Sequence, residues 1–132
     1  MNTQTALEAA NYLLQSDKEQ RSVSALKLFR AILENDPANP EALSRQALLL
    51  AQTGDAMLYQ RAINQIDFAV SQNPRNIEVL LTRAILISGT DSQTACSDLN
   101  TVLGLFELET TQVSNQVSDQ VDNLLSSLAC EQ

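Results

Sequence analysis

The sequence contains no histidine and no tryptophan, and aromatic residues make up only 4% of its 132 residues. Without histidine, imidazole-based acid–base catalysis, histidine metal ligation and every histidine-containing triad are excluded. The three glycines, Gly54, Gly89 and Gly104, are isolated from one another, so neither a P-loop nor a dinucleotide-binding fingerprint is present. The segment from Asp91 to Asp98 lacks the alternating ligands and the glycine of a calcium loop. We therefore expect a protein that is not an enzyme and that uses no metal and no cofactor.

Glycine and proline occur only three times each, which is too few for an all-β protein rich in tight turns. The length suits a single domain with its own core, and the scarcity of aromatics means that leucine, isoleucine, valine and alanine must fill that core. The composition favours an all-α fold. No apolar run approaches the roughly 20 residues that a membrane helix needs, so we expect no direct membrane insertion.

Positive charge is also scarce, since 8 basic residues face 16 acidic ones and the formal net charge is −8. The imbalance lies in the second half: residues 67–132 carry two arginines against nine acids, while residues 1–66 are nearly neutral. Such a surface repels phosphate backbones and anionic lipid head groups. Nucleic acid and anionic membranes are therefore not expected partners.

One short pattern occurs twice, as AILENDPANPEAL at 31–43 and FAVSQNPRNIEVL at 68–80. The two copies are offset by thirty-seven positions, from Pro37 to Pro74. Proline cannot extend a helix and disfavours helix in the residue before it, so each copy predicts the end of one helix. Internal repetition at this period is typical of stacked supersecondary units.

The residues that follow each proline predict the start of a new helix. Asn39 and Asn76 are placed to cap the next helix by accepting backbone N–H bonds, and Pro40 suits a first helical turn. Between the helices of the second unit, Gly54 predicts a turn with positive φ. Asp91 occupies the equivalent place in the third unit, and aspartate also visits that conformation.

Apolar residues then step by three and four along each unit, which predicts two helices per unit. First helices are predicted at about 3–16, 40–53 and 77–89, and second helices at about 20–35, 57–72 and 92–108. The units would span about 3–39, 40–76 and 77–110. In the second helix of the third unit, the offset of thirty-seven predicts Leu99, Leu103 and Phe106 at the core positions. A seventh, amphipathic helix over about 111–129 has a polar back, so residues 111–130 suit a capping helix.

These features resemble the tetratricopeptide repeat (TPR), although the family unit is usually 34 residues and its usual Trp and Tyr are replaced in unit two by Leu43 and Leu50. The matching residues in unit two are Leu43, Ala47, Leu50, Gly54, Ala62, Ile66, Ala69 and Pro74; in unit one they are Ala10, Leu13, Ala25, Phe29, Ile32 and Pro37. The resemblance implies a right-handed α-solenoid of about three helix pairs plus the C-terminal capping helix. It also implies a peptide-binding or protein-binding groove lined by the first helices.

By position, the resemblance assigns to this groove Leu7, Asn11, Gln15, Glu41, Ser44, Leu48, Gln52, Glu78, Leu81, Ile85 and Ser88. The chaperone-binding members of the family hold a C-terminal carboxylate with Lys, Arg and Asn, and of these positions only Asn11 fits that pattern. The mixed groove instead favours an apolar or amphipathic segment, with basic residues opposite Glu41 and Glu78. The alternative is that some of the leucines and isoleucines are simply core.

The two cysteines fall at Cys96, early in the sixth predicted helix, and Cys130, just after the last one. If these helices are antiparallel their far ends meet, and a disulfide is geometrically possible. The alternative is two unrelated thiols, one buried at a helix contact and one at a frayed terminus. A disulfide would imply an oxidising compartment such as a bacterial periplasm, whereas free thiols would suit the cytoplasm.

The resulting prediction is an interaction adaptor, similar to small bacterial tetratricopeptide proteins that help to assemble pili or secretion machinery in the envelope. One alternative resembles the small cytoplasmic tetratricopeptide chaperones of secretion substrates. Another alternative is a structural homodimer that buries its apolar surface against a second copy.

Overall fold

The computed structural model describes residues 3–14, 19–108 and 115–130, without the side chains of 11–14 and 19–22, and the regular structure in these ranges is helical throughout. The helices are α1 Thr3–Leu14, α2 Glu19–Asn35, α3 Pro40–Gln52, α4 Ala56–Gln72, α5 Ile77–Ile87, α6 Ser92–Leu108 and α7 Asn115–Ser127. The prediction of an all-α fold is confirmed. Within the described part of the chain, no helix combines the length and the apolar character that crossing a bilayer requires.

Consecutive helices pack in pairs, α1 with α2, α3 with α4 and α5 with α6, and each pair packs on the next through α2–α3 and α4–α5 contacts. The first helices α3 and α5 also lie against each other, and α7 packs on α6. The chain is therefore a helical-repeat solenoid. Ala10, Ala47 and Ala84, which the offset of thirty-seven aligns, are all 0% exposed. With no side chain beyond Cβ, they allow the helices to approach closely.

The repeated turns cap the helices as predicted. The Asn39 Oδ1 accepts a hydrogen bond from the Ala42 backbone N–H at 2.9 Å, and the Asn76 Oδ1 accepts one from Val79 at 3.1 Å. Pro40 begins α3, and Gly54 has a φ of +78°, a conformation that glycine adopts without steric cost. Each asparagine cap stabilises its helix by about 1 kcal/mol.

The expectation for Asp91 is wrong. Among the described residues, only Gly54 and Ala129 have positive φ. Asp91 instead caps α6, since its Oδ1 accepts from the Thr94 N–H at 3.1 Å, as the Oδ1 of Asp55 accepts from Leu58 in α4 at 3.0 Å. Counted from the cap of its first helix to the cap of its second, the third unit is therefore one residue shorter than the second, since Asn76 and Asp91 are 15 positions apart whereas Asn39 and Asp55 are 16 apart.

This missing residue moves the core register of α6 by one position. The strict offset of thirty-seven predicts Leu99, Leu103 and Phe106 at core positions, but Leu103 and Phe106 are only half-buried. Val102 is 0% exposed and Leu105 is 7% exposed, and they stand thirty-six positions after core residues of α4. Leu99 is 0% exposed, so its predicted place in the core is confirmed. The prediction for Leu103 and Phe106 is corrected accordingly.

Two hydrogen bonds connect neighbouring units through groups that do not belong to the apolar core. The Asn73 side-chain Nδ2, at the end of α4, donates to the backbone carbonyl of Ala38 at 3.1 Å, joining the second repeated turn to the first. The Tyr59 hydroxyl of α4 donates to the carbonyl of Leu86 near the end of α5. Adjacent units are therefore held at their edges as well as through their core.

Candidate functional site

The candidate surface is the side of α3 and α5 that the sequence predicts as a groove, and the structure places its members at different depths. Exposed or half-buried are Glu41, Leu48, Gln52, Glu78, Ile85 and Ser88. Leu7, Ser44 and Leu81, which the offset of thirty-seven aligns, are 5%, 0% and 7% exposed. These three side chains lie in the core and present almost no surface to a ligand. Asn11 and Gln15 fall outside the described side chains, so the full groove stays a prediction.

The polar centre of this surface is one arginine between two glutamates. The Nε of Arg45 lies 3.3 Å from the Oε1 of Glu41, one helical turn earlier on α3, and 3.6 Å from the Oε1 of Glu78 on α5. All three side chains are about one-third exposed, at 36%, 32% and 38% in that order. Because a single guanidinium faces two carboxyl groups, the cluster carries an excess negative charge whenever both glutamates are ionised.

Sequence reasoning missed Arg45. The signal was available, because a glutamate four residues before an arginine is a favourable helical ion pair. The offset of thirty-seven also places Glu78 in the next unit at the position of Glu41. What the sequence does not give is the contact between α3 and α5 that brings Arg45 to Glu78.

The charge of Glu78 is sensitive to pH near neutrality. Partial burial raises the pKa of Glu78 from 4.5 to about 7, with Arg45 opposing the shift and the neighbouring Glu41 adding to it. Burial penalises the charged carboxylate because it loses hydration. The negative charge of the cluster therefore increases as the pH rises through 7.

The last helix contributes a second wall to the same surface. A cavity of about 630 Å³ lies between Ile85 of α5 and the α7 side chains Gln116, Asp119, Gln120, Asn123, Leu124 and Ser127. Ile85 and Leu124 supply apolar surface, and the amides and the carboxylate of α7 surround it. The polar residues of α7 thus border a cavity, whereas the sequence predicted them only as the solvent-facing side of a capping helix.

The structure also brings the two cysteines together. The sulfur atoms of Cys96 and Cys130 lie at bonding distance, and their Cα atoms are 5.5 Å apart. This contact joins the first part of α6 to the residues that follow α7. In the described part of the chain, no group of three or more acidic or cysteine side chains is arranged to hold a metal ion.

Comparison with known proteins gives a fold relationship. The sequence matches no protein-family model, and no curated protein matches it at a significant level. Among solved structures, it is similar to the first TPR of Spaghetti (RPAP3) bound to the HSP90 peptide SRMEEVD, with a TM-score of 0.64 and 17% sequence identity. The superposition covers 98% of this chain and 97% of that chain. This likeness over the whole length shows that the chain has a tetratricopeptide-like fold.

Proposed function

We propose that this protein is a non-enzymatic interaction module that binds a segment of a protein partner along the surface formed by α3, α5 and α7. The observation that carries the proposal is the cluster of Glu41, Arg45 and Glu78 beside the accessible apolar side chains of Leu48 and Ile85. The peptide held by the structurally similar domain supports it, since tetratricopeptide-like folds can present such a surface to an extended segment.

The chemistry of the surface favours an amphipathic segment with basic residues. The excess carboxylate of the cluster would attract a lysine or arginine side chain, while Leu48 and Ile85 would contact an apolar one. The peptide of the similar domain, SRMEEVD, is acidic, and the two glutamates would repel such a ligand. The partner class proposed here is therefore of opposite charge.

The cellular setting proposed is the bacterial envelope, in pilus or secretion assembly. Its support is the contact of Cys96 with Cys130, which we propose is a disulfide in the native protein and hence a sign of an oxidising compartment. If both thiols are free in the native protein, the cytoplasmic secretion chaperone becomes the better proposal.

A second candidate function is structural self-association, and the outer side of α4 supports it. Met57 is 80% exposed and Phe68 is 44% exposed, and eleven residues of helix, about three turns, place both on one face. Sedimentation over a range of concentrations tests this candidate. A monomer at every concentration would exclude an obligate homodimer.

The binding proposal is tested by fluorescence anisotropy with a labelled amphipathic peptide that alternates lysine and leucine. We expect it to bind more tightly than a peptide with glutamate in place of lysine. The Glu41→Gln/Glu78→Gln variant should weaken binding of the lysine peptide, whereas Glu107→Gln, at an exposed carboxylate of α6, should not. Equal binding of both peptides to the surface, or no effect of the double variant, would refute the proposal.

A further inference from the structure

A second cavity lies on a different side of the solenoid. About 370 Å³ in volume, it opens between α2 and α4, both of which pack against α3. On α3 it reaches Gln46 and Leu50. At about 100° per residue, these two residues point roughly opposite to Glu41 and Leu48 on the same helix. We call this cavity the α2/α4 pocket, and it is separate from the surface proposed above.

The α2/α4 pocket is positively charged in a negatively charged protein. Arg30 of α2 and Arg61 of α4 line it, and both are exposed. Within the described ranges neither takes part in an ion pair, whereas Arg45 and Arg83 do. Glu34 is the one acid among the lining residues, which leaves one excess positive charge there against a net charge of −8 for the chain.

The remainder of the lining is apolar, apart from two glutamines that are hydrogen-bonded to each other. Leu26, Leu33 and Leu50 are half-buried and form the apolar part. The Gln65 Nε2 donates to the Oε1 of Gln46, but the Oε1 of Gln65 is buried and has no donor in the described part of the chain. This acceptor has almost no accessible surface, so the groups that an occupant can contact are the two arginines and the three leucines.

We propose that the α2/α4 pocket binds an acidic segment of a protein partner. Its carboxylates pair with Arg30 and Arg61, and a neighbouring apolar side chain packs on the three leucines. The charge complementarity selects an acidic occupant, opposite to the basic segment proposed for the α3–α5 surface. The two surfaces therefore allow one molecule to hold two chemically different segments at once.

The test is fluorescence anisotropy with a labelled peptide that alternates glutamate and leucine. We expect the Arg30→Gln/Arg61→Gln variant to weaken its binding by about fivefold to thirtyfold, because two accessible charge pairs contribute about 0.5 to 1 kcal/mol each. The matched control is Lys27→Gln/Arg75→Gln, which removes two positive charges at exposed positions outside the pocket. The control should bind as the parent protein does.

Three further readouts separate this pocket from the other surface and from unfolding. Circular dichroism should show unchanged helicity in both double variants, because all four side chains are exposed. The Glu41→Gln/Glu78→Gln variant should bind the glutamate peptide normally. The proposal would be refuted if the glutamate peptide did not bind, or if Arg30→Gln/Arg61→Gln and Lys27→Gln/Arg75→Gln weakened its binding equally. Self-association that Arg30→Gln/Arg61→Gln abolishes would also overturn it, because the occupant would then be a second copy.

Discussion

Arg83 of α5 donates two hydrogen bonds to Asp98 of α6, from Nε to Oδ2 and from Nη2 to Oδ1, each 2.7 Å long. The Asp98 side chain is 5% exposed and that of Arg83 is 20% exposed. The hydrogen bonds to Asp98, reinforced by its charge, raise the pKa of Arg83 above its usual value, with burial opposing. Asp67 of α4 adds a weaker contact to Nη1 at 3.4 Å. This buried pair fixes α6 against α5 in the third unit.

Breaking this pair should be costly. We expect Asp98→Ala to lower the free energy of unfolding by about 3 kcal/mol, because it leaves a guanidinium that is only 20% exposed with no more than the weaker contact to Asp67. The double variant Arg83→Met/Asp98→Leu should recover most of that loss. Asp67→Asn, at a carboxylate that is 57% exposed, should cost less than about 1 kcal/mol. Urea unfolding measures all three, and equal costs for Asp98→Ala and Asp67→Asn would contradict this account.

Leu48 and Leu81 should differ in what their truncation changes. Leu81 is 7% exposed and belongs to the core, so Leu81→Ala should cost about 3 kcal/mol of stability. Leu48 is half-buried on the candidate surface, so Leu48→Ala should cost clearly less and should weaken binding of the lysine–leucine peptide. Urea unfolding and anisotropy together distinguish the two. If Leu48→Ala is as destabilising as Leu81→Ala, Leu48 is core and not part of the surface.

Stability should depend on pH through Glu78. Its pKa is 4.5 in the unfolded reference and about 7 in the folded chain, so the folded state holds the proton more tightly between these values. The free energy of unfolding therefore decreases as the pH rises from 4.5 to 7. The decrease should stay below about 1 kcal/mol, because solvent screens a side chain that is more than one-third exposed. Glu78→Gln should flatten this part of the profile in urea unfolding at several pH values.

The same titration should affect ligand binding in the opposite sense. Above pH 7 the Glu78 carboxylate is charged, so the lysine–leucine peptide should bind more tightly at pH 8 than at pH 6. Glu78→Gln should remove that difference and Glu107→Gln should retain it. A pH dependence that persists in Glu78→Gln would assign the titrating group elsewhere.

The state of the cysteines is directly measurable. We expect no reactive thiol in the native, oxidised protein, even after denaturation without reductant. Reduction should lower the free energy of unfolding by about 4 kcal/mol, as the chain-entropy relation gives for a separation of 34 residues. The Cys96→Ser/Cys130→Ser variant should match the reduced protein. Two reactive thiols in the freshly purified native protein would contradict the disulfide and the envelope setting together.

The helix ends could be predicted because their determinants are local. Pro37, Asn39 and Asn76 act on backbone groups within four residues, so the turn sequence alone specifies them. The third unit shows where this fails. The apolar residues of α6 are compatible with an offset of either thirty-six or thirty-seven positions. Sequence periodicity does not reveal that Asp91 caps α6, and with that cap the fully buried residue is Val102 instead of Leu103.

The candidate surfaces could be predicted only in part. Repetition assigned Glu41 and Glu78 to one side of the first helices, but not the contact between units that places Arg45 next to both. Arg30 and Arg61 are far apart in sequence, and only the packing of α2 and α4 on α3 brings them to one pocket. Contacts between helices of different units have no short-range sequence signal.

The hydrogen bond from Asn73 to the carbonyl of Ala38 has a consequence for the shape of the whole molecule. In a stacked array, curvature is the accumulated rotation from one unit to the next. The Asn73 amide, hydrogen-bonded to the preceding turn, restricts this rotation between the first two units. Loss of this amide would therefore loosen the angle between the first two units, together with the end of α4, whose Ala69 carbonyl it also bonds.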